Sequence, residues 1–235
     1  MLCIVPTPIG NKDDITLRAL KLLTETSIIF CENTQSIKRL LGIHNIGYST
    51  KKFVKFTSHD LRHKENFIHI MKESDVCMVS EAWTPGLSDP WKLLILWAQE
   101  NNIPYSILPW ANAIIPAVIG SWFPTVKRSF YGFLPHKKWR ETALKQMIHA
   151  DHASFFYESV HRIDKLLSQL TTLWFSGKLS ITREISKVFE QYYTGTLEEI
   201  QGAINQNIIP LKGEFVIGIY PHGWGAFIDS DNDDA

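Results

Sequence analysis

The sequence predicts an α/β protein made of two α/β domains. Short apolar runs alternate with helical patterns at roughly 15-residue intervals, which is typical of a parallel sheet in the first half. The chain has 235 residues, enough to fill two hydrophobic cores. A change of character near residues 118–126 divides it into an N-terminal domain (1–122), a C-terminal domain with a mixed sheet (123–222) and an acidic tail (223–235).

The first half alternates strand and helix in chain order. The apolar run 2–6 ends in a Pro/Gly turn and predicts a buried strand, and SIIFCE (27–32) repeats that pattern. Leucines at helical spacing follow Asp13 or Asp14, the expected helix cap, and Gly42 is expected to end the next helix. The predicted elements are strand 2–6, helix 14–26, strand 27–32, helix 34–43, helix 63–74, strand 75–80, helix 93–102, strand 104–109 and helix 111–122.

The second half continues the alternation with longer strands. Apolar and aromatic runs such as ASFFYES (153–159) and GEFVIGIY (213–220) predict strands. Segments with apolar residues at helical spacing predict the helices between them. The predicted elements are strand 129–135, helix 137–150, strand 153–159, helix 161–174, strand 179–186, helix 197–205 and strand 213–220.

Composition excludes several classes of protein. The formal net charge is zero, so no overall field attracts nucleic acid or an anionic membrane. The N-terminal apolar run lacks a basic region, and no apolar run reaches the roughly 18 residues of a membrane span, so we expect a soluble cytoplasmic protein. Three scattered cysteines suit neither a disulfide framework nor a zinc site, and the nine histidines show no metal-binding spacing. We therefore predict no metal.

Six polar strings at strand ends resemble one family. They are IVPTPIGNKDDITLRAL, VSEAWTPGLSDPW, FYGFLPHKK, FFYESVHRI, TREISKVFEQYYTGTLEEI and KGEFVIGI, and the likeness runs from residue 2 to about 220. Together they resemble the RsmI-type 16S rRNA 2′-O-methyltransferases of the tetrapyrrole (corrin/porphyrin) methylase superfamily. The resemblance implies S-adenosylmethionine (SAM) in a cleft between two α/β domains, a homodimer, and methylation of a cytidine 2′-hydroxyl in the 16S rRNA of the 30S subunit.

The resemblance also implies which residues form the site. A ribose hydroxyl needs a proton acceptor, for which Glu158, Glu184 and Lys187 are candidates, Lys187 only if its pKa is lowered. Arg183 would orient a phosphate or carboxylate. Cofactor contacts are expected at the loops that follow the strands of the first half and at one tyrosine: Pro8, Gly10, Ser80, Glu81, Ala82, Trp83, Thr84, Leu87, Ala111, Asn112, Ala113 and Tyr157.

Local basic clusters predict an RNA-binding surface. They alternate with aromatic residues, which suits phosphate contacts combined with base stacking. The residues are Lys51, Lys52, Lys55, Arg62, Lys64, Lys137, Lys138 and Arg140. Binding through them should weaken steeply with salt.

Tryptophan stands where the resembled family commonly has glycine. Its members usually read Ser-Asp-Ala-Gly-Thr-Pro-Gly-Ile-Ser-Asp-Pro-Gly, against SEAWTPGLSDPW at 80–91. The five positions are Trp83, Trp91, Trp110, Trp122 and Trp139. Random drift does not direct one residue type at one partner, and tryptophan is the poorest substitute for glycine in a tight loop. Our hypothesis is that the native cell reads UGA codons at these positions as glycine; the alternative is real divergence with a damaged cofactor pocket.

Two other functions stay open at this point. A non-enzymatic or cofactor-impaired descendant would keep the fold but exclude SAM, because Trp83 and Trp110 would fill the pocket. A sister methylase would act on a tetrapyrrole or another small molecule instead of rRNA. The strings FYES and REISK favour the rRNA branch.

Overall fold

The computed structural model describes residues 1–57, 63–80, 92–109, 111–124, 127–136 and 139–222. They form two compact units, Met1–Asn112 and a second that begins at Ala113. Each unit contains its own five-stranded sheet with helices, so the predicted α/β class is confirmed. The units divide before the predicted boundary at 122, and the packing of the helix that follows residue 113 explains the difference.

The first unit is built on a parallel sheet. Its strand order is β3-β2-β4-β1-β5, and every pairing between these strands is parallel. Strands β1 and β4 are buried along their whole length, as expected for a parallel sheet covered on both faces. The elements are β1 (Leu2–Val5), α1 (Leu17–Glu25), β2 (Ile28–Cys31), α2 (Thr34–Ile43), β3 (Lys52–Lys55), α3 (Lys64–Glu73), β4 (Val76–Val79), α4 (Lys92–Glu100) and β5 (Tyr105–Ile107).

Two predictions for the first unit are wrong in detail. Helix α1 is capped by Thr16, whose hydroxyl oxygen accepts the Ala19 N–H at 3.1 Å, and not by an aspartate. Asp13 and Asp14 instead belong to a short 3-10 turn before it. Strand β3 was not predicted at all, since its sequence KFVK was assigned to a basic surface.

The second unit is built on a mixed sheet. Its order is β6-β7-β10-β8-β9, with β6 and β7 parallel and the other pairs antiparallel. Within the described residues, no helix of either unit is long and apolar enough to cross a membrane. The elements are α5 (Ile114–Gly120), β6 (Arg128–Phe133), α6 (Arg140–Ile148), β7 (Ala153–Ser159), α7 (Ile163–Thr172), β8 (Lys178–Arg183), β9 (Gln191–Gly195), α8 (Leu197–Asn205) and β10 (Glu214–Tyr220).

Helix α5 belongs to the second unit because of its packing. Val118 joins Phe123, Phe155 and Tyr220 in a buried cluster against the second sheet. Gly120 lies so close to β9 that a Cβ there would come within 2.2 Å of the Tyr192 ring. The apolar face that the sequence assigned to the N-terminal domain therefore completes the core of the second unit.

Candidate functional site

Two of the predicted ligand loops are joined at the carboxyl end of the first sheet. β1 and β4 are parallel neighbours, so their carboxyl ends lie side by side. The Thr7 hydroxyl donates a hydrogen bond to the Ser80 carbonyl oxygen at 3.1 Å, and both residues are buried. This bond joins the Thr7 side chain to the Ser80 backbone at the edge where open α/β sheets bind their ligands.

The described cofactor-contact candidates of the first unit are compact. Pro8 is half-buried and Gly10 exposed after β1, and Ala111 and Asn112 are half-buried after β5. None of them has a bulky side chain, so this part of the edge fits the adenosyl donor that the resemblance implies. Ala113, also half-buried, begins the second unit. Glu81, Ala82, Trp83, Thr84 and Leu87 lie outside the described residues.

Tyr157 is the remaining cofactor-contact candidate and lies on β7. Its ring packs against Phe130 and Phe133, with centroids 5.1 and 5.3 Å away. Burial raises the pKa of its hydroxyl group, so Tyr157 is protonated at neutral pH. The structure gives this residue a packing role between β6 and β7, and its contact with a cofactor stays a prediction.

Glu158 lies in the core of the second unit, between two arginines. Its side chain is 0% exposed. Oε2 accepts a hydrogen bond from Arg140 Nη2 at 2.5 Å, and Oε1 accepts the backbone N–H of Ser159 at 2.9 Å. Arg162 Nε lies 2.5 Å from Oε1 as an ion pair without hydrogen-bond geometry. We call Arg140, Glu158 and Arg162 the core triad.

The core triad holds α6 against the end of β7. Arg140, the first residue of α6, is 1% exposed and also donates from Nε to Gln169 Oε1 at 2.9 Å. The prediction that Arg140 binds RNA phosphate is therefore wrong, because its guanidinium is committed inside the protein. A carboxylate balanced by two guanidinium groups meets the requirement that buried charges be paired. A ribose hydroxyl reaches Glu158 only if the triad opens.

A second cluster surrounds the turn between β8 and β9. We call residues 183–190, with Gly213 and Glu214, the β8–β9 corner. Arg183 is buried and donates from Nε to the Lys212 carbonyl at 2.6 Å. Its Nη1 donates to the Phe189 carbonyl at 3.1 Å and to Gln191 Oε1 at 3.0 Å. Arg183 therefore fixes the backbone of the corner from within.

Glu184 and Lys187 form the accessible part of the corner. Lys187 Nζ contacts Glu184 Oε1 at 2.9 Å and Glu214 Oε2 at 2.8 Å. Glu184 Oε1 also accepts the Glu214 backbone N–H at 2.9 Å. Glu184 and Ser186 have φ angles of 53° and 66°, in the left-handed region that residues with a Cβ rarely adopt. Strain of this kind often accompanies functional sites.

The pKa directions separate the two candidate bases of the corner. Burial alone would raise the pKa of Glu184, but hydrogen bonds from Lys187 and the Glu214 backbone, with the charges of Lys187 and Arg183, lower it below its usual value. Burial alone would lower the pKa of Lys187, but its contacts with Glu214 and Glu184 raise it. Lys187 could act as a base only if its pKa were lowered, but its pKa is raised. Lys187 is therefore a cation at neutral pH.

Glu184 is left as the accessible carboxylate. It is ionised at neutral pH because its pKa is lowered. Its side chain is 16% exposed, and Oε2 accepts no hydrogen bond from the part of the chain that the structure describes. This oxygen can therefore receive a proton without breaking the contacts that Oε1 makes.

Two of the predicted RNA-binding lysines make contacts within the protein. Lys51 Nζ donates to the carbonyl oxygens of Thr24 and Thr26, at 2.9 and 2.8 Å, and so stabilises the end of α1. Lys64 forms an ion pair with Glu100 at 2.8 Å. Both lysines therefore have a structural role that the linear sequence did not reveal.

The other basic candidates either lie on an exposed edge strand or fall outside the residues that the structure describes. Lys52 and Lys55 are exposed on β3, an edge strand of the first sheet. Because β3 is an edge strand, both side chains lie at the rim of that sheet, on its opposite faces. Arg62, Lys137 and Lys138 lie outside the described residues. Lys52 and Lys55 remain the described candidates for contact with a phosphate.

The sequence did not reveal the role of Gly213 and Glu214. Gly213 has a φ of 92°, and a Cβ there would lie 2.4 Å from Glu184 Cδ, so glycine is needed for the carboxylate to pack. The available signal was a Gly-Glu pair directly before an apolar strand. Linear spacing gives no reason to connect that pair with Glu184.

The fold places the chain in the class of two-unit α/β proteins. Among solved structures it resembles a cobalt precorrin-4 methyltransferase from cobalamin biosynthesis (TM-score 0.64, covering 95% of this chain and 94% of that one). It also resembles diphthine synthase (TM-score 0.69, 93% and 88%). Both are 15% identical, so the likeness shows the fold alone. No group of three His, Cys, Asp or Glu side chains suited to a metal ion occurs among the described residues.

Sequence relatives then identify the family. The profile of the Tetrapyrrole (Corrin/Porphyrin) Methylases matches residues 1–201, and the chain belongs to this family of methyltransferases. Proteins named ribosomal RNA small subunit methyltransferase I are similar to it over most of its length. Those from Helicobacter pylori (35% identical, 92% of this chain, 82% of the relative), Hydrogenobaculum sp. (35%, 92%, 94%) and Mycoplasmopsis pulmonis (36%, 91%, 95%) are examples. The resemblance predicted from the six strings is confirmed.

Proposed function

We propose that this protein transfers a methyl group from SAM to the 2′-hydroxyl of a cytidine in 16S rRNA. The observation that carries the proposal is its 35% identity, over 92% of the chain, to proteins named as small-subunit rRNA methyltransferases. Fold alone would not define the substrate, since one fold supports many activities. The two motifs that favour the rRNA branch, FYES and REISK, end at the core triad and begin the β8–β9 corner.

Methyl transfer to a hydroxyl makes two demands on the protein. SAM, when bound, supplies the electrophilic methyl carbon. The chain must hold the ribose oxygen in line with that carbon, at about 3 Å, and must accept the hydroxyl proton. In the first unit, Thr7 holds the Ser80 carbonyl, and Pro8, Gly10 and Asn112 would hold the donor through backbone groups.

Glu184 is the best proton acceptor among the three candidates. Its lowered pKa keeps it ionised across the neutral range, at the cost of lower basicity. Oε2 is open to a hydroxyl, whereas the oxygens of Glu158 are enclosed by Arg140 and Arg162. Lys187 is a positioning residue that holds Oε1 of Glu184.

RNA contact and self-association complete the proposal. Lys52 and Lys55 would contact phosphates, together with Arg62, Lys137 and Lys138. The edge strand β6 exposes the aromatic residues Phe130, Tyr131 and Phe133, which supports a homodimer in which a second copy covers this edge. A small-subunit rRNA substrate implies a cytoplasmic location.

The proposal is tested by methylating 30S subunits that lack the modification, with SAM carrying a labelled methyl group. After digestion to nucleosides, the label should appear as 2′-O-methylcytidine. Replacing Glu184 by Gln should abolish most of the label, whereas Glu73→Gln, an exposed change at the end of α3, should not. Label on a base, or no label in the rRNA, would contradict the proposal.

The two alternative functions can be distinguished with the same protein, SAM and 30S subunits. Methyl transfer to a tetrapyrrole or another small molecule, with none to 30S subunits, would support the sister-methylase alternative. Calorimetry with SAM addresses the cofactor-impaired alternative. A chain that binds no SAM, even with glycine at positions 83, 91 and 110, would favour a non-enzymatic descendant.

A further inference from the structure

Five helices end with a left-handed residue two positions beyond their last helical residue. After α2, α4 and α8 this residue is an asparagine, with φ angles of 55°, 54° and 56° for Asn45, Asn102 and Asn207. After α5 and α7 it is a tryptophan, with φ angles of 60° for Trp122 and 55° for Trp174. Glycine and asparagine take this position because other side chains crowd the following carbonyl.

The end of α7 shows that the turn requires the left-handed residue. The Trp174 N–H donates to the Thr171 carbonyl at 3.1 Å, and the Phe175 N–H donates to the Leu170 carbonyl at 3.0 Å. These two bonds define a Schellman motif, in which the left-handed position is usually glycine. The Trp174 side chain is 90% exposed, so packing of the indole does not compensate for the strained backbone.

The same two bonds close α8, where the residue is Asn207. Its N–H donates to the Ile204 carbonyl at 2.9 Å, and the Ile208 N–H donates to the Ala203 carbonyl at 2.9 Å. The same left-handed backbone geometry is therefore occupied by asparagine after α8, which tolerates it, and by tryptophan after α7, which tolerates it poorly. The geometry is set by the helix end and not by the indole.

Trp139 presents the same conflict at the start of a helix. It is the N-cap of α6 with φ 76° and ψ −12°, whereas N-cap residues normally have an extended backbone. It makes no side-chain capping bond and is 64% exposed. A left-handed cap of this kind is natural for glycine, which has no Cβ.

Trp97 provides the contrast within the same chain. It lies inside α4, is 4% exposed, and packs against Phe56 and Phe67 with ring centroids 6.0 and 6.4 Å away. Core packing therefore accounts for a tryptophan at this position. Among the described tryptophans, those with a left-handed backbone are the exposed ones, and the buried one is helical.

We propose that Trp122, Trp139 and Trp174 are glycines in the protein that the native cell makes, encoded by UGA and decoded there as glycine. Trp97 is a genuine tryptophan encoded by UGG. Trp174 is identified by its backbone alone, since no family motif gave glycine there. The proposal rests on helix geometry and does not depend on the reaction that the protein catalyses.

Peptide mass spectrometry of the protein from its native cell, compared with the gene, tests the proposal directly. We expect UGA at codons 122, 139 and 174 with glycine in the peptides, and UGG with tryptophan at position 97. A UGG codon at any of the three positions would overturn the proposal. Tryptophan in a peptide encoded by UGA would overturn it as well.

Urea unfolding of the recombinant chain tests the steric basis separately. The triple variant Trp122→Gly/Trp139→Gly/Trp174→Gly should have a higher urea midpoint than the chain with three tryptophans, because it relieves left-handed strain. The matched control Trp97→Gly should have a lower midpoint, because it opens a cavity in the core. An unchanged or lower midpoint for the triple variant would overturn the steric argument.

Discussion

Glu158 and Glu184 are both held by basic side chains in the second unit, yet their surroundings are opposite. Glu158 has no exposed surface, and two arginines and a backbone N–H occupy its oxygens. Glu184 is partly exposed, sits on a left-handed backbone, and keeps one oxygen available. The comparison teaches that pairing with a cation does not by itself mark a reactive carboxylate. Accessibility and local strain distinguish the candidate base from the structural carboxylate.

Replacing Glu158 by Gln should have the largest effect of all on stability. It leaves the buried guanidinium of Arg140 and the half-buried guanidinium of Arg162 without a counter-charge, so we expect a loss of about 3–5 kcal/mol in the free energy of unfolding. Urea denaturation measures this loss. The matched control is Glu141→Gln, which breaks an exposed ion pair with Lys145 and should leave stability essentially unchanged. Equal effects of the two changes would remove the contrast between the two glutamates.

Replacing Glu184 by Gln should act on catalysis and not on folding. We expect methyl transfer to 30S subunits to fall by about 10²-fold or more, because glutamine cannot accept the proton. Single-turnover rates with labelled SAM measure this fall, and the urea midpoint shows that the fold is kept. Full activity in Glu184→Gln, with loss of activity in a folded Glu158 variant, would reverse the two roles.

Gly213→Ala should disturb the β8–β9 corner by displacing the Glu184 side chain. The new Cβ would meet the Glu184 carboxylate at a backbone φ of 92°, so we expect a loss of about 1–3 kcal/mol in unfolding free energy. Methyl transfer should fall with it, since Glu184 must move. Gly202→Ala in α8 is the control, because a Cβ there meets nothing within 4 Å and should stabilise the helix by about 0.5–1 kcal/mol. A neutral Gly213→Ala would show that the corner is not tightly packed.

The pH dependence of stability should show the smallest effect. The pKa of Glu184 lies below its usual value of 4.5, so its contribution is fully present above that value and is lost as the pH falls through the folded-state pKa. The raised pKa of Lys187 acts at the opposite end, where its contribution is lost as the pH rises above 10.5. Urea midpoints of the wild type and Glu184→Gln should therefore converge as the pH falls below 4.5 and through the folded-state pKa of Glu184. A constant difference would contradict the lowered pKa.

Helices and strands whose ends are fixed by nearby residues could be predicted from the sequence. Helix α8 begins and ends as predicted, because Thr196 and Glu199 form a reciprocal capping box at its start. Strand β7 also has its predicted bounds. Strand β3 was missed because a four-residue run with lysine at both ends resembles a solvated surface. Its place is decided by pairing with β2, which local sequence does not encode.

The charged site could be predicted only in part. Glu158, Arg183, Glu184 and Lys187 were named from the sequence as candidates, but the sequence did not show which of them is buried. Charged residues are almost always expected at the surface, so the sequence placed Arg140 in an RNA-binding cluster. Its burial depends on Glu158 and Gln169, which reach it only through the packing of three separate elements.

All three cysteines of the chain belong to the first unit, on β1, β2 and β4, and each is buried. Burial raises the pKa of the Cys77 thiol to about 12, so the reactive thiolate does not form while the sheet is intact. Alkylation by a thiol reagent therefore requires that this sheet open. Since the second unit has no cysteine, the rate of thiol labelling reports on the opening of the first unit.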